Sequence, residues 1–143
     1  MRLSTLRRLG VTGVLVGAQL VIAASLLELA LRCVKFPRFL AWLRAAARGP
    51  GAGFPAGKHR LGLPRTLQLA AAAARVWRGA DCCLPRSLLT LWLLLADQRE
   101  ACVVLGVRKG PAEPFRAHAW VEVSPPVPGI VDRGAGFTVL GRF

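Results

Sequence analysis

The sequence predicts an α+β fold, in which helices come first and an antiparallel sheet follows. Two observations predict this order. Runs rich in Ala and Leu at helical spacing end near residue 96, and short β-branched or alternating runs follow them. At 143 residues, with 54% hydrophobic residues, the chain is long and apolar enough to form one core, which excludes a hydrophilic disordered chain.

The first predicted unit is a basic and apolar helical segment over residues 1–48. Residues 9–27 carry no charge and follow the basic start MRLSTLRR, so the stretch is long enough for a membrane span or a signal sequence. Glycines and polar residues dilute it, however, and it runs on into a helical pattern that carries charges. We therefore favour a buried or surface-lying helix over a span, and expect Pro37 to break it at Phe36.

Residues 49–64 are dense in Gly and Pro and predict a linker, after which a core of residues 65–143 begins. In the first helix of this core, Pro64 suits the first turn and Gly79 suits the C-terminal end. The next helix, over 84–96, is apolar nearly all round. It is therefore expected to be central and to pack on the sheet.

Four short strands are predicted after it. Residues 101–107 form a short β-branched run between charges, which is typical of a buried strand. Residues 115–123 alternate cleanly, and shorter strands are expected over 130–133 and 137–140. The alternation assigns four side chains to one face of the second strand: Arg116, His118, Trp120 and Glu122.

Charge is distributed unevenly along the chain. Residues 1–80 carry thirteen Lys/Arg against one acid, whereas residues 81–143 carry seven against six, within a net charge of +13. The first half is therefore expected to meet an anionic partner or a membrane surface. The basic residues lie among leucines and alanines and not beside a nucleic-acid-reading motif, so no nucleic-acid partner is expected.

The four cysteines lack C-x-x-C spacing, and a disulfide framework does not fit a chain so apolar and so poor in cysteine. Reduced thiols predict a cytoplasmic protein, with membrane association through the N-terminal segment left open. A zinc site from Cys82, Cys83, Cys102 and a histidine lacks the ligand spacing of structural zinc, so we expect neither metal nor cofactor.

The stretch ADCCLPRSLLTLWLLL places two adjacent cysteines, Cys82 and Cys83, at the start of the central helix. Pro85 suits a first turn, where unpaired backbone N–H groups and the helix dipole favour a negative sulfur and can stabilise an oxyanion. His118 lies on a patterned strand, and Asp132 follows 14 residues later. This order suits a nucleophile, a base and an orienting acid, and so predicts an acyl-transfer site.

Each of these residues also has a purely structural interpretation. Cysteines are commonly buried, His118 could be a satisfied core residue, and Asp132 before Arg133 and Gly134 could make an Asx turn. The residues alone leave open which of the two neighbouring cysteines would be the nucleophile.

Several blocks, in order, resemble the leader peptidases of lasso-peptide biosynthesis, which are small stand-alone transglutaminase-like proteins of the papain-like superfamily. The blocks are CCLPRSLLTLWLLL, VVLGVRKG, PFRAHAWVEV and VDRGAGFTVL, and they lie within residues 67–140. The resemblance implies a papain-like, transglutaminase-like core. It also implies that Cys83 is the nucleophile, His118 the base and Asp132 the acid, with Cys82 outside the motif. The proline-rich loop between His118 and Asp132 departs from the family's tight hairpin.

The resemblance further implies a reaction and partners. The enzyme would hydrolyse one peptide bond of a ribosomally made precursor, freeing the core peptide from its leader. A separate PqqD-like recognition protein would deliver the leader, and an asparagine-synthetase-like cyclase would use ATP to close the macrolactam ring. Two alternatives are acyl transfer to an amine by the same three residues, and a non-catalytic adaptor that presents precursor to the cyclase.

Overall fold

A computed structural model describes residues 3–78, 83–109, 115–127, 130 and 134–143, with side chains described from residue 10 to 76 in the first range. The chain forms five helices and three strands over these residues. They are α1 (Leu3–Cys33), α2 (Phe36–Arg48), α3 (Lys58–Leu61), α4 (Leu63–Arg78), α5 (Cys83–Ala96), β1 (Glu100–Arg108), β2 (Arg116–Ser124) and β3 (Thr138–Arg142). The predicted α+β order is confirmed.

Glycine and proline set the breaks in the N-terminal helices. Gly10 interrupts α1 with φ 64° and ψ 171°, a conformation that glycine adopts without the strain a side chain would cause. Pro37 lies in the first turn of α2, where the backbone N–H it lacks would have no helical acceptor. The predicted break at Phe36 is confirmed. The Gly- and Pro-rich stretch after α2 contains the four-residue helix α3.

The three strands form an antiparallel sheet in the order β2-β1-β3, so β1 is the central strand. In the β1–β2 ladder Val103 pairs with Val121, and Gly106 pairs with His118. The central position explains why β1 is apolar on both faces, since Val103 and Val104 point to opposite faces and both are fully buried.

One hydrophobic core joins the helices to one face of the sheet. The leucines of α5 fill its centre, and Leu88, Leu91 and Leu94 are fully buried, as expected for a helix that is apolar nearly all round. α5 packs against α1, α2, α4, β1 and β2. Side chains of α1 and α2, such as Val16 and Leu43, belong to the same core cluster. The N-terminal helices α1 and α2 therefore pack in the same core as α5.

The observed elements lie within one or two residues of most predicted bounds. α5 starts at Cys83, one residue before its predicted start, and β3 runs two residues beyond its predicted end. Most of the strand predicted over 130–133 and the helix stop at Gly79 lie outside the described residues. The boundaries at residues 48 and 64 stay predictions.

Candidate active site

Cys83 is the first residue of α5, and its side chain is half-buried and in no disulfide. Pro85, buried in the first turn, has the backbone angle that a helix start requires. The first-turn backbone N–H groups have no acceptor within the helix, so they can donate to an anionic group beside Cys83. Cys82 lies outside the described residues.

A buried hydrogen bond joins the first turns of α5 to β2. The Ser87 hydroxyl donates to the backbone carbonyl of Ala119 over 2.9 Å, and Ser87 is 5% exposed. Ser87 follows Cys83 by four residues and so lies on the same face of the helix. Ala119 directly follows His118 in β2. This contact brings the turn that carries the thiol next to the strand that carries the imidazole.

His118 is half-buried in a small aromatic cluster on β2 and the segment before β3. Its ring stacks on Trp120 with centroids 6.0 Å apart, and its centroid lies 5.1 Å from that of Phe137. The guanidinium of Arg108 lies 5.2 Å from the centre of the Phe137 ring, in cation–π geometry. The cluster restricts the orientation of the imidazole from two sides.

The cluster occupies the sheet face opposite α5. Val121, two residues after Ala119, belongs to the core that the α5 leucines fill, so alternation turns Ala119 towards α5 and turns His118 with Trp120 away from it. β2 is an edge strand of the sheet formed by the described residues. The imidazole and α5 therefore lie on opposite faces of the sheet, and contact between His118 and Cys83 would require the imidazole to pass the edge of β2.

Two glycines allow the Trp120 indole to lie flat in this cluster. A Cβ atom at Gly106 would come within 2.8 Å of the indole, and one at Gly134 within 2.6 Å. Gly134 also has φ 57°, which favours glycine. Trp120 is 3% exposed as a result and forms a rigid support for the His118 ring.

The third predicted residue, Asp132, lies outside the described residues. The prediction that it orients His118 therefore stays a prediction. Gly134, two residues later, is described, and it lies against Trp120.

The other described cysteines lie in different surroundings. Cys33 is exposed at the end of α1, and Cys102 is half-buried on β1. Burial, and then the nearby Glu122 carboxylate, raise the pKa of the Cys102 thiol, so it is a poor nucleophile at neutral pH. Among the described residues no group of three or more His, Cys, Asp or Glu side chains could hold a metal ion.

Sequence reasoning missed Ser87, Phe137 and Arg108 as parts of this region. A serine at the start of an apolar helical run was the available signal for Ser87, because a buried hydroxyl needs a partner. The Phe137 and Arg108 contacts arise from the β1–β3 pairing, which the sequence pattern does not specify.

Comparison with known protein families gives a match over most of the chain. A family model described as Transglutaminase-like superfamily matches residues 23–142, most of the chain. No curated protein and no solved structure matches this chain. The match includes α5, all three strands and the segment that carries the predicted site residues.

Proposed function

Because the chain belongs to the transglutaminase-like superfamily, we propose that it is a cysteine peptidase that removes the leader from a ribosomally made lasso-peptide precursor. The fold is consistent with cysteine peptidase or acyl-transfer chemistry. One observation carries the proposal for this chain: the Ser87–Ala119 hydrogen bond, which joins the helix turn of Cys83 to the strand of His118. The leader-peptidase assignment is supported by the four sequence blocks described above.

In the proposed reaction, His118 takes the proton of the Cys83 thiol, and the sulfur attacks the carbonyl carbon of the scissile peptide bond. First-turn N–H groups of α5 donate to the oxyanion that forms. The C–N bond then breaks, and His118 returns the proton to the leaving amine of the core peptide. Water, deprotonated by His118, hydrolyses the remaining thioester and releases the leader acid. Asp132 would hold the imidazole in the required tautomer.

The proposal includes partners that deliver and consume the peptides. A PqqD-like recognition protein would present the leader, and an asparagine-synthetase-like cyclase would receive the freed core peptide. The cyclase needs the free N-terminal amine that the cleavage produces, so peptidase and cyclase must act in that order.

Substituting the two neighbouring cysteines separately tests the nucleophile. We expect Cys83→Ala to abolish cleavage of the precursor in the presence of the recognition protein, and Cys82→Ala to retain it, with mass spectrometry of the products as readout. Cys33→Ala, at an exposed thiol at the end of α1, is the matched control and should behave as wild type.

Each other outcome points to a different function. An isopeptide-linked product in place of a free leader acid would indicate acyl transfer to an amine. Processing that continues in Cys83→Ala would indicate a non-catalytic adaptor. Loss of processing in Cys82→Ala alone would show that the neighbouring thiol is the nucleophile.

The role of His118 can be tested without the partners. If the imidazole activates the thiol, His118→Gln should slow alkylation of Cys83 by iodoacetamide at pH 7, measured by mass spectrometry of the Cys83 peptide. His59→Gln, which replaces the other histidine of the chain, is the control. Equal alkylation rates in His118→Gln and wild type would show that His118 does not activate the Cys83 thiol.

A further inference from the structure

Helix α1 has two apolar faces, and only one of them is in the core. Val16, Leu20 and Leu27 are at most 6% exposed. On the opposite face five large apolar side chains are 58–79% exposed, and they are Val11, Leu15, Ile22, Leu26 and Leu29. Their spacing of three, four or seven residues places them in one stripe, about 27 Å long at 1.5 Å per residue. We call these five residues the α1 stripe.

An apolar groove opens beside the α1 stripe. It has a volume of about 390 Å³, and its lining includes Ile22 and Leu26 of the stripe together with Trp42 and Trp92. Trp42 on α2 is 59% exposed and contacts the Trp92 ring with centroids 6.2 Å apart. The stripe and the groove thus form one apolar surface with tryptophan at its side.

The helices that carry this surface are rich in basic residues. Residues 10–78 contain ten Lys/Arg and a single acid, Glu28, which forms an ion pair with Arg32. Lys35 and Arg38, at the junction of α1 and α2, and Arg48 at the end of α2 are exposed. An apolar stripe with adjacent tryptophan and exposed cations has the two components of interfacial membrane binding, apolar burial and attraction to anionic lipid.

We propose that the α1 stripe and its groove dock on an anionic membrane surface. The stripe would enter the boundary between headgroups and acyl chains, Trp42 would lie at headgroup level, and Lys35 and Arg38 would meet lipid phosphates. Lipid fits better than a protein partner because the stripe side chains offer no hydrogen-bonding groups, whereas protein interfaces combine apolar contacts with many hydrogen bonds. This inference does not depend on the proposed peptidase activity.

The buried face of α1 favours docking on the membrane surface over crossing the membrane. The segment Gly10–Cys33 is long and apolar enough to cross a membrane. Crossing would, however, withdraw Val16, Leu20 and Leu27 from the core they share with α5. Surface docking buries the exposed face and leaves the core intact.

The docking surface is also separate from the candidate active site. The groove reaches α5 at Leu89, Trp92 and Leu93. Trp92 is nine residues, or about 13.5 Å along the helix axis, from Cys83. A docked molecule can therefore keep the start of α5 open to a peptide.

The test is sedimentation of the full chain with vesicles of equal parts phosphatidylglycerol and phosphatidylcholine, compared with vesicles of phosphatidylcholine alone, at 0.1 M salt. We expect binding to the anionic vesicles, weaker binding to the neutral ones, and release by 0.5 M salt. Ile22→Gln/Leu26→Gln should weaken partitioning at least about tenfold. Lys35→Gln/Arg38→Gln should weaken it more than about tenfold on anionic vesicles only.

Leu140→Gln is the matched control, because Leu140 on β3 is 68% exposed, similar to Leu26 at 61%. Thermal unfolding of each variant, followed by circular dichroism, shows whether it folds. Three results would overturn the proposal: no vesicle binding by wild type, unchanged binding by the folded Ile22→Gln/Leu26→Gln variant, or protein that resists release at high salt, which would indicate insertion. A dimer abolished by that variant, with no vesicle binding, would identify a second copy as the occupant.

Discussion

Replacing Ser87 by alanine removes the hydroxyl that joins α5 to β2. The Ser87 side chain is buried, and its Oγ lies 2.9 Å from the backbone oxygen of Ala119. The substitution removes only the hydroxyl, and alanine has a high helix propensity. It therefore isolates the hydrogen bond between the turn that carries Cys83 and the strand that carries His118.

The size of the effect follows from three contributions. A lost hydrogen bond that leaves one partner buried destabilises a protein by about 1–3 kcal/mol, and a carbonyl oxygen with a second lone pair lies at the lower end of that range. Alanine recovers about 0.5 kcal/mol through its higher helix propensity. The expected net loss in the free energy of unfolding is therefore about 1 kcal/mol, which lowers the Tm by roughly 2–4 °C for a chain of this size.

Urea unfolding followed by circular dichroism measures this loss, with Thr90→Ala as the matched control. Thr90 is half-buried on the same helix, and its substitution removes a hydroxyl but keeps the Ser87–Ala119 hydrogen bond, so it should change stability by less than about 0.5 kcal/mol. If the proposed peptidase activity is present, Ser87→Ala should also lower kcat about tenfold through misalignment of thiol and imidazole. Ser87→Ala as stable as Thr90→Ala would refute the role given to this hydrogen bond.

Two further predictions concern packing and protonation. Gly51→Ala would place a Cβ in steric overlap with the Trp92 ring, so we expect about 1–3 kcal/mol of destabilisation in urea unfolding. Gly53→Ala, at a position that faces open space, should have little effect, and equal stability of the two variants would contradict the packing. The raised pKa of Cys102 keeps its thiol protonated to higher pH, so its alkylation should begin at higher pH than that of a free cysteine thiol. Because the Glu122 carboxylate contributes to that rise, Glu122→Gln should shift the alkylation profile to lower pH, and an unshifted profile would contradict this cause.

Local signals made much of the fold predictable. Pro37 marked the break between α1 and α2, since it cannot continue the preceding helix. The continuous apolar run of β1 predicted a strand buried on both faces, as Val103 and Val104 are. These features depend on residues close together in the chain, so sequence periodicity and proline chemistry are sufficient to predict them.

The candidate site was predictable only in part. The start of α5 at Cys83 and the alternation that pairs His118 with Trp120 follow from local pattern. The side of the sheet that α5 covers follows only in part. Strand 101–107 is apolar on both faces and α5 is apolar nearly all round, whereas strand 115–123 has its apolar residues mainly on the face of Ala119 and Val121. That choice determines the path by which the imidazole can approach Cys83.

The sequence by itself determined the order of elements, the excess of positive charge in the first half, and a cysteine at a helix start. Only the tertiary structure decided which face of α1 joins the core and which remains exposed, and that Ser87 meets Ala119. The physical reason is that α1 is apolar on both faces, so its orientation depends on the volume that the leucines of α5 leave to fill. Such packing is a property of residues distant in the chain, and local periodicity does not encode it.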